Sequence, residues 1–495
     1  MSEFPYRFLP FRFERFDRSI LLANDVGEFC FLDSTVFDRF IHRQLSPSEE
    51  MFKNLKSKRF LFDDHLPEII EQLAIAYRTK KQFLFDFTTL HMLVVTQRCN
   101  QNCLYCHAVS KSQDSDTCET DMSLETAHRC VEMALMSPAP SIKIEFQGGE
   151  PLIAFGVIRS IVDTANTLNE NIGKNIEFVI CTNLTLISAE IIDFLLQNKN
   201  ISISTSLDGP ESIHDACRCD RAGVGSYRVF KDKFRLLQSS IGKERISALM
   251  TVTPYNLERL KEVVNEYVES GFNSIFLRPL NKFGAAQVNW GKLNYNVDDF
   301  LVHFKEILDY IITLNLKGHY FPEVYTTILL TRILTPYSTG FVDLQSPAGT
   351  GISGVIYDYN GDVYVSDEAR MLQRTTGDRH FCIGNVHKNT WGDIFCSSQL
   401  KEIVDKSCIE SLAGCAWCVF QPYCGGDPVN NYAEQGEIYG HRYANEMCHR
   451  HKGVFNLLFE YLRKNDPEIM DVFWSWIMNK PINQIAISPG SYAAV

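Results

Sequence analysis

The sequence predicts an α/β protein: an open part-barrel of parallel strands with outer helices, preceded by a small N-terminal module and followed by a cysteine-rich extension. Three observations carry this reading. From about residue 90, apolar runs at 92–96, 142–147, 177–182, 201–206, 246–251 and 274–277 alternate with helical patterns at 123–135, 158–168, 188–197, 227–237 and 257–269. Six βα units in succession call for a parallel sheet covered by helices. Polar, glycine-bearing or cysteine-bearing turns directly follow several of the runs, and barrels of this type place their ligands at the carboxyl ends of strands. Finally, many of the 16 cysteines crowd into two short stretches, one after the first run and one near residues 415–448. The expected divisions are 1–85, 86–320 and 321–495.

Length and composition bound the rest. A chain of 495 residues is too long for a single core. With 48 basic and 60 acidic residues, the net charge of -12 argues against a nucleic-acid partner. Neither a basic segment followed by an apolar one at the N-terminus nor an apolar run of about 18 residues is found, so neither export nor membrane spanning is expected. The expected location is the cytoplasm, where clustered cysteines read as metal ligands before they read as disulfides.

In the N-terminal module, the stretch from Ile20 to Leu32 is broken by Asn24-Asp25-Val26-Gly27 and reads as a hairpin. Asp33 or Ser34 caps a short helix, Ser46-Pro47-Ser48-Glu49-Glu50 starts another, and Phe60-Leu61-Phe62 makes a returning strand. The order resembles the winged-helix elements that bind leader segments of ribosomally made peptides by strand addition. A plain structural cap is the alternative.

The first barrel strand leads into Cys99-Asn100-Gln101-Asn102-Cys103-Leu104-Tyr105-Cys106, three cysteines able to converge on one inorganic cluster. A four-iron cubane needs four ligands, so three leave one iron open. A zinc knuckle and three unrelated thiols are the competing readings. With Tyr105 before the last cysteine, the loop resembles the signature of the radical S-adenosylmethionine (radical SAM) superfamily. The resemblance implies that Cys99, Cys103 and Cys106 hold a [4Fe-4S] cluster whose open iron binds SAM.

The later strand ends extend the likeness. Gly148-Gly149-Glu150-Pro151 resembles the stretch that meets the amino group of SAM, and Glu150 can accept from an ammonium. Thr182-Asn183-Leu184 has a leucine where the family has glycine. Ser204, Ser206 and Asp208 resemble the residues around the ribose, Arg218 the one that pairs with the SAM carboxylate, and Leu277 the one that packs adenine. Ordinary turns, a surface arginine and core packing are the bland explanations.

Residues about 290–340 read as helical, and 355–365 as two strands around an Asn-Gly turn. Cys415, Cys418, Cys424 and Cys448 then resemble the second-cluster ligands of the SPASM extension found in radical SAM peptide maturases. A zinc ribbon is the alternative. The cysteines of that extension's first cluster are missing: Ser346-Pro347 and Ser366-Asp367 stand at two places, Asp427 or Pro428 at another, and Cys382 alone remains nearby. One auxiliary [4Fe-4S] cluster is therefore expected. Within the group, Phe8-Leu9-Pro10-Phe11-Arg12-Phe13 and Cys424-Gly425-Gly426-Asp427-Pro428 resemble the maturases of the His-Xaa-Ser system. The resemblance implies a maturase of a ribosomally made peptide or protein, fed by a flavodoxin- or ferredoxin-type reductant. A sulfatase maturase making formylglycine is the neighbouring reading. A non-catalytic iron–sulfur carrier or peptide-binding adaptor is the reading from another class, and SAM turnover separates it from the others.

Overall fold

The computed structural model describes residues 5–63 and 66–485. Its central sheet has nine strands. Leu90–Thr96, Ser141–Gly148, Asn175–Cys181, Ile201–Ser206, Ile246–Thr251 and Leu277–Arg278 are parallel and adjacent in sequence order. Helices Leu124–Leu135, Phe155–Asn169, Ala189–Gln197, Tyr227–Ile241 and Leu260–Ser270 connect them. Ser123 and Ser188 cap two of these helices by accepting from the backbone three residues on.

Alternation along the strands sets which side faces the helices. In Ile201–Ser206 the isoleucines and Thr205 are buried, while Ser202, Ser204 and Ser206 are half-buried on the opposite face. Neighbouring strands repeat the pattern with Ile142, Ile144 and Phe146, and with Ile176, Phe178 and Ile180, all in one large core. The other face keeps Glu145, Gln147, Cys181, Ser204 and Ser206 half-buried, a polar lumen.

The fourth and fifth strands match expectation to the residue, while the sixth is displaced from 274–277. The backbone of Ile275 is taken by a different segment, its N–H donating to Pro322 O and its carbonyl accepting from Val324 N. Leu277 and Arg278 pair with the fifth strand, and Phe276 O accepts from Met250 N. The Asn-Gly hairpin, Gly354–Tyr357 and Asp362–Tyr364, does not stand apart: its first strand pairs in parallel with the first barrel strand, and Cys382–Asn385 completes the edge.

At the N-terminus, Phe11–Phe16, Ser19–Asn24 and Phe29–Asp33 form an antiparallel meander, and Leu61–Phe62 pairs with Arg7–Phe8. Asp33 caps Ser34–Ile41 as expected. One face of the module has its own core around Tyr6, Phe40, Phe52 and Phe60. Leu21, Ala23 and Phe29 of the other face belong to the main core, with Phe29 edge-on to Phe459 at 5.0 Å. The module is thus fused to the C-terminal helices through shared packing.

Candidate functional site

The three-cysteine loop crosses the open end of the barrel, and its neighbours pin it there. Asn102 N and Leu104 N donate to the carbonyls of Cys219 and Cys217, and Arg221 Nε donates to Cys99 O at 2.8 Å. Cys217 and Cys219 thus act through their backbone. Arg98 forks onto Asp121, whose carboxylate also accepts from Thr96, fixing the approach to Cys99. Gly148 and Gly149 are required by close approach: a Cβ on either would lie within about 2 Å of Thr96 O or Arg98 O.

Glu150 is buried, and its carboxylate accepts from Thr182 Oγ1 at 2.6 Å, Asn183 N at 2.8 Å and Leu152 N at 3.1 Å. It straps the second strand end to the third and caps the turn beginning at Pro151. Burial pushes its pKa up against these bonds. Asn183 donates to Asn100, linking the third strand end to the cysteine loop.

Deeper in, the Tyr105 hydroxyl donates to Asp208 at 2.7 Å and accepts from Arg218 Nη1 at 2.8 Å. All three are buried. Burial opposes the Arg218 charge, yet Cys103, Tyr105 and Asp208 outweigh it and hold the guanidinium protonated. Arg218 Nε is buried with no hydrogen-bond partner, an orphaned donor beside the cysteine loop. Ser204 and Ser206 face the lumen, whereas Leu277 packs into the main core and its neighbour Arg278 approaches Glu368 at 3.7 Å.

Several lining groups escaped the sequence reading. Glu145 accepts from Gln147 and Cys181 inside the lumen, and the only signal was polarity on one face of otherwise apolar strands. His107, next to Cys106, reaches Asp367 at 2.7 Å, joining the loop to the end of the hairpin. Near the same face, the surrounding protein and then the carboxylates of Glu368 and Asp427 raise the pKa of Asp343 to about 7, against Arg278 and Arg450, while its side chain keeps an exposed surface.

The donor sets suit the implied groups. Among the described residues no three His, Cys, Asp or Glu side chains converge on a single ion. The loop thiols are instead near enough to feel one another's charge while spread around the loop, and a cubane takes its thiolates on separate irons. Burial pushes Cys99 and Cys106 up to about 12, so the ligating thiolate form calls for a positive centre among them. Cys415, Cys418, Cys424 and Cys448 form a second mutually interacting set. Cys382 lies apart on its own strand, its sulfur 3.1 Å from Arg379 Nη2.

Known proteins agree with this geometry. Residues 93–267 match the radical SAM superfamily. Uncharacterized protein MJ0907 of Methanocaldococcus jannaschii is 35% identical over 195 residues, 39% of this chain; the chain covers 63% of that relative's length. A cysteine-type anaerobic sulfatase-maturating enzyme of Clostridium perfringens is 25% identical over 341 residues, 66% of this chain and 85% of that enzyme. Among solved structures, anSMEcpe with bound AdoMet and Cp18Cys peptide superposes with a TM-score of 0.62 at 19% identity, covering 78% of this chain and 99% of that one. Streptococcus suis SuiB bound to precursor peptide SuiA gives 0.51 at 15% identity, covering 88% and 98%. These two likenesses establish the fold alone. Barrel, cysteine loop and family match fall on the same residues, so residues 93–267 carry a radical SAM domain.

Proposed function

We propose that this chain modifies a side chain or backbone carbon of a ribosomally made peptide or protein by radical chemistry. Bound SAM and its [4Fe-4S] cluster supply a 5′-deoxyadenosyl radical able to remove hydrogen from an unactivated carbon. The carrying observation is that Cys99, Cys103 and Cys106 stand where the first strand opens into a polar lumen, flanked by Arg218 and the Tyr105–Asp208 pair. Arg218 brings a charge and an unused donor to the carboxylate of SAM. Gly148 and Gly149 let the second strand end close on the loop, and Ser204 and Ser206 offer hydroxyls to the ribose.

The N-terminal meander supports leader capture. Strand Phe11–Phe16 is paired on one side only, with Phe13 54% exposed, so an extended peptide can add a strand there. Arg12 on this strand donates to Ala416 O, which places the edge beside the auxiliary cysteines. SuiB bound to its precursor peptide and anSMEcpe bound to a peptide support this substrate class by analogy. We assign the protein to the cytoplasm with a flavodoxin- or ferredoxin-type reductant; among the described residues no helix is long and apolar enough to cross a membrane.

The test is anaerobic reconstitution with a strong reductant. 5′-Deoxyadenosine should form, and mass spectrometry of a precursor peptide encoded beside the gene should show a mass change absent without the enzyme. Cleavage of SAM that persists after alanine replacement of Cys99, Cys103 and Cys106 rejects the proposal. The sulfatase-maturating relative favours formylglycine formation as a second reading. Conversion of a cysteine or serine peptide to the aldehyde would establish it.

A further inference from the structure

Helix Leu66–Lys80 starts in the N-terminal module and ends with a side chain inside the C-terminal half. Lys80 Nζ donates to Arg332 O at 3.0 Å and lies 5.2 Å from the centre of the Tyr423 ring. Arg332 Nε donates to Tyr423 O at 2.7 Å, one residue before Cys424. Lys80, Arg332 and Cys424 line one small cavity of about 20 Å³. The carboxylates close to these cations are already engaged: Asp25 by Arg12, Glu28 by Arg59 and Glu410 by Lys81. Neither Lys80 nor Arg332 makes an ion pair among the described residues.

An enclosed guanidinium without a carboxylate is costly unless an anion stands close by, while burial pushes Lys80 down to about 7, so that its charge depends on an anion nearby. A guanidinium keeps its charge at neutral pH, and this one bonds to the carbonyl next to Cys424 and shares a cavity with that residue. A four-thiolate iron–sulfur centre is anionic and gains a further negative charge when reduced, and a fixed cation inside protein favours that state.

We propose that Arg332, assisted by Lys80, is the buried counter-charge of the auxiliary centre at Cys415, Cys418, Cys424 and Cys448. It raises the centre's electron affinity and couples the seating of the N-terminal helix to it. The proposal rests on the reading of those four cysteines as cluster ligands. In this arrangement Arg332 and Lys80 are positioning residues that act through Cys424, and Lys80 brings the influence of a segment distant in sequence.

The experiment uses the full chain, reconstituted anaerobically with iron and sulfide, in a background where Cys99, Cys103 and Cys106 are alanine. Any remaining cluster signal then belongs to the auxiliary centre. In a dithionite redox titration followed by electron paramagnetic resonance, Arg332→Met should weaken reduction about tenfold, a fall of about 59 mV for a one-electron couple. Arg332→Lys should restore most of the wild-type potential, and Lys80→Met should shift it in the same direction as Arg332→Met by less. Hydrogen exchange across residues 66–80 should be faster in protein without the cluster. Should Arg332→Met fail to fold, Lys80→Met decides. An unchanged midpoint in the variant measured overturns the counter-charge. Absence of any signal from the wild-type residues in this background overturns the cluster reading, and the proposal falls with it.

Discussion

The hydroxyl of Tyr105, inside the cysteine loop, donates to the carboxylate of Asp208 beyond the fourth strand at 2.7 Å. The bond spans 103 residues of sequence and ties the loop to the barrel. Tyr105→Phe removes it together with the acceptor for Arg218, leaving two buried charged groups short of a partner. The cost should be about 1–3 kcal/mol in unfolding free energy. SAM affinity, measured by equilibrium dialysis on reconstituted protein, should fall by about tenfold as Arg218 reorients. Unchanged affinity would detach this pair from the SAM site.

Leu184 tests the departure from the family's glycine. It sits at φ +66° and is fully buried, with its N–H bonded to Thr182 Oγ1. The chain keeps the backbone conformation that glycine prefers and accepts about 1–2 kcal/mol of strain. Removing the side chain should cost about 2–5 kcal/mol. At this φ, however, Leu184→Gly should be less destabilising than Leu184→Ala, the reverse of the usual order. Denaturant unfolding of both variants would reveal it, and alanine proving the milder change would contradict the strain.

Much of the barrel was legible because strands such as Ile201–Ser206 alternate with a period of two and two of the helices carry a serine cap, Ser123 and Ser188. What could not be read were pairings between distant segments. Nothing local tells that Gly354 sits beside Leu90, or that Ile275 bonds to the backbone at 322 and 324 rather than to the fifth strand. In the site, the cysteine loop and the Gly-Gly turn were recognisable as motifs, whereas the use of Glu150 as a strut required knowing that Thr182 and Asn183 come within reach. Fusion of the N-terminal module to the main core was hidden because Phe29 and Phe459 are 430 residues apart.

Asp343 gives a pH signature. An unfolded aspartate ionises near 4. Burial, with Glu368 and Asp427 beside it, raises Asp343 to about 7 against the opposing charges of Arg278 and Arg450. The folded state then holds a proton that the unfolded state has released. Stability from this group is complete below about pH 4 and is lost as the pH rises through 7. Asp343→Asn should remove that part of the slope, gaining on wild type at pH 8 relative to pH 5. Denaturant melts at the two pH values measure it; parallel behaviour of the two proteins would show that Asp343 titrates normally.

An iron count tests which cysteines are ligands. Cys99, Cys103 and Cys106 account for one cubane, and Cys415, Cys418, Cys424 and Cys448 for a second, so a fully loaded chain should carry about 8 irons. A third cubane would raise this to about 12, but its natural ligands are absent. Asp427 accepts from Asn430 N as the cap of helix Pro428–Gln435, and its carboxylate is a hard donor poorly matched to such a cluster. Ser346 bonds to Glu410, Asp367 to His107 and Arg370, and Cys382 faces Arg379. Each residue standing where a further ligand is expected is thus engaged elsewhere. Cys448→Ala should cost about 4 irons or leave a labile cluster, because the second set loses one of four thiolates, while Cys382→Ala should cost none. Iron near 12 in wild type, or loss of a whole cluster with Cys382→Ala, would show that other residues complete a third site.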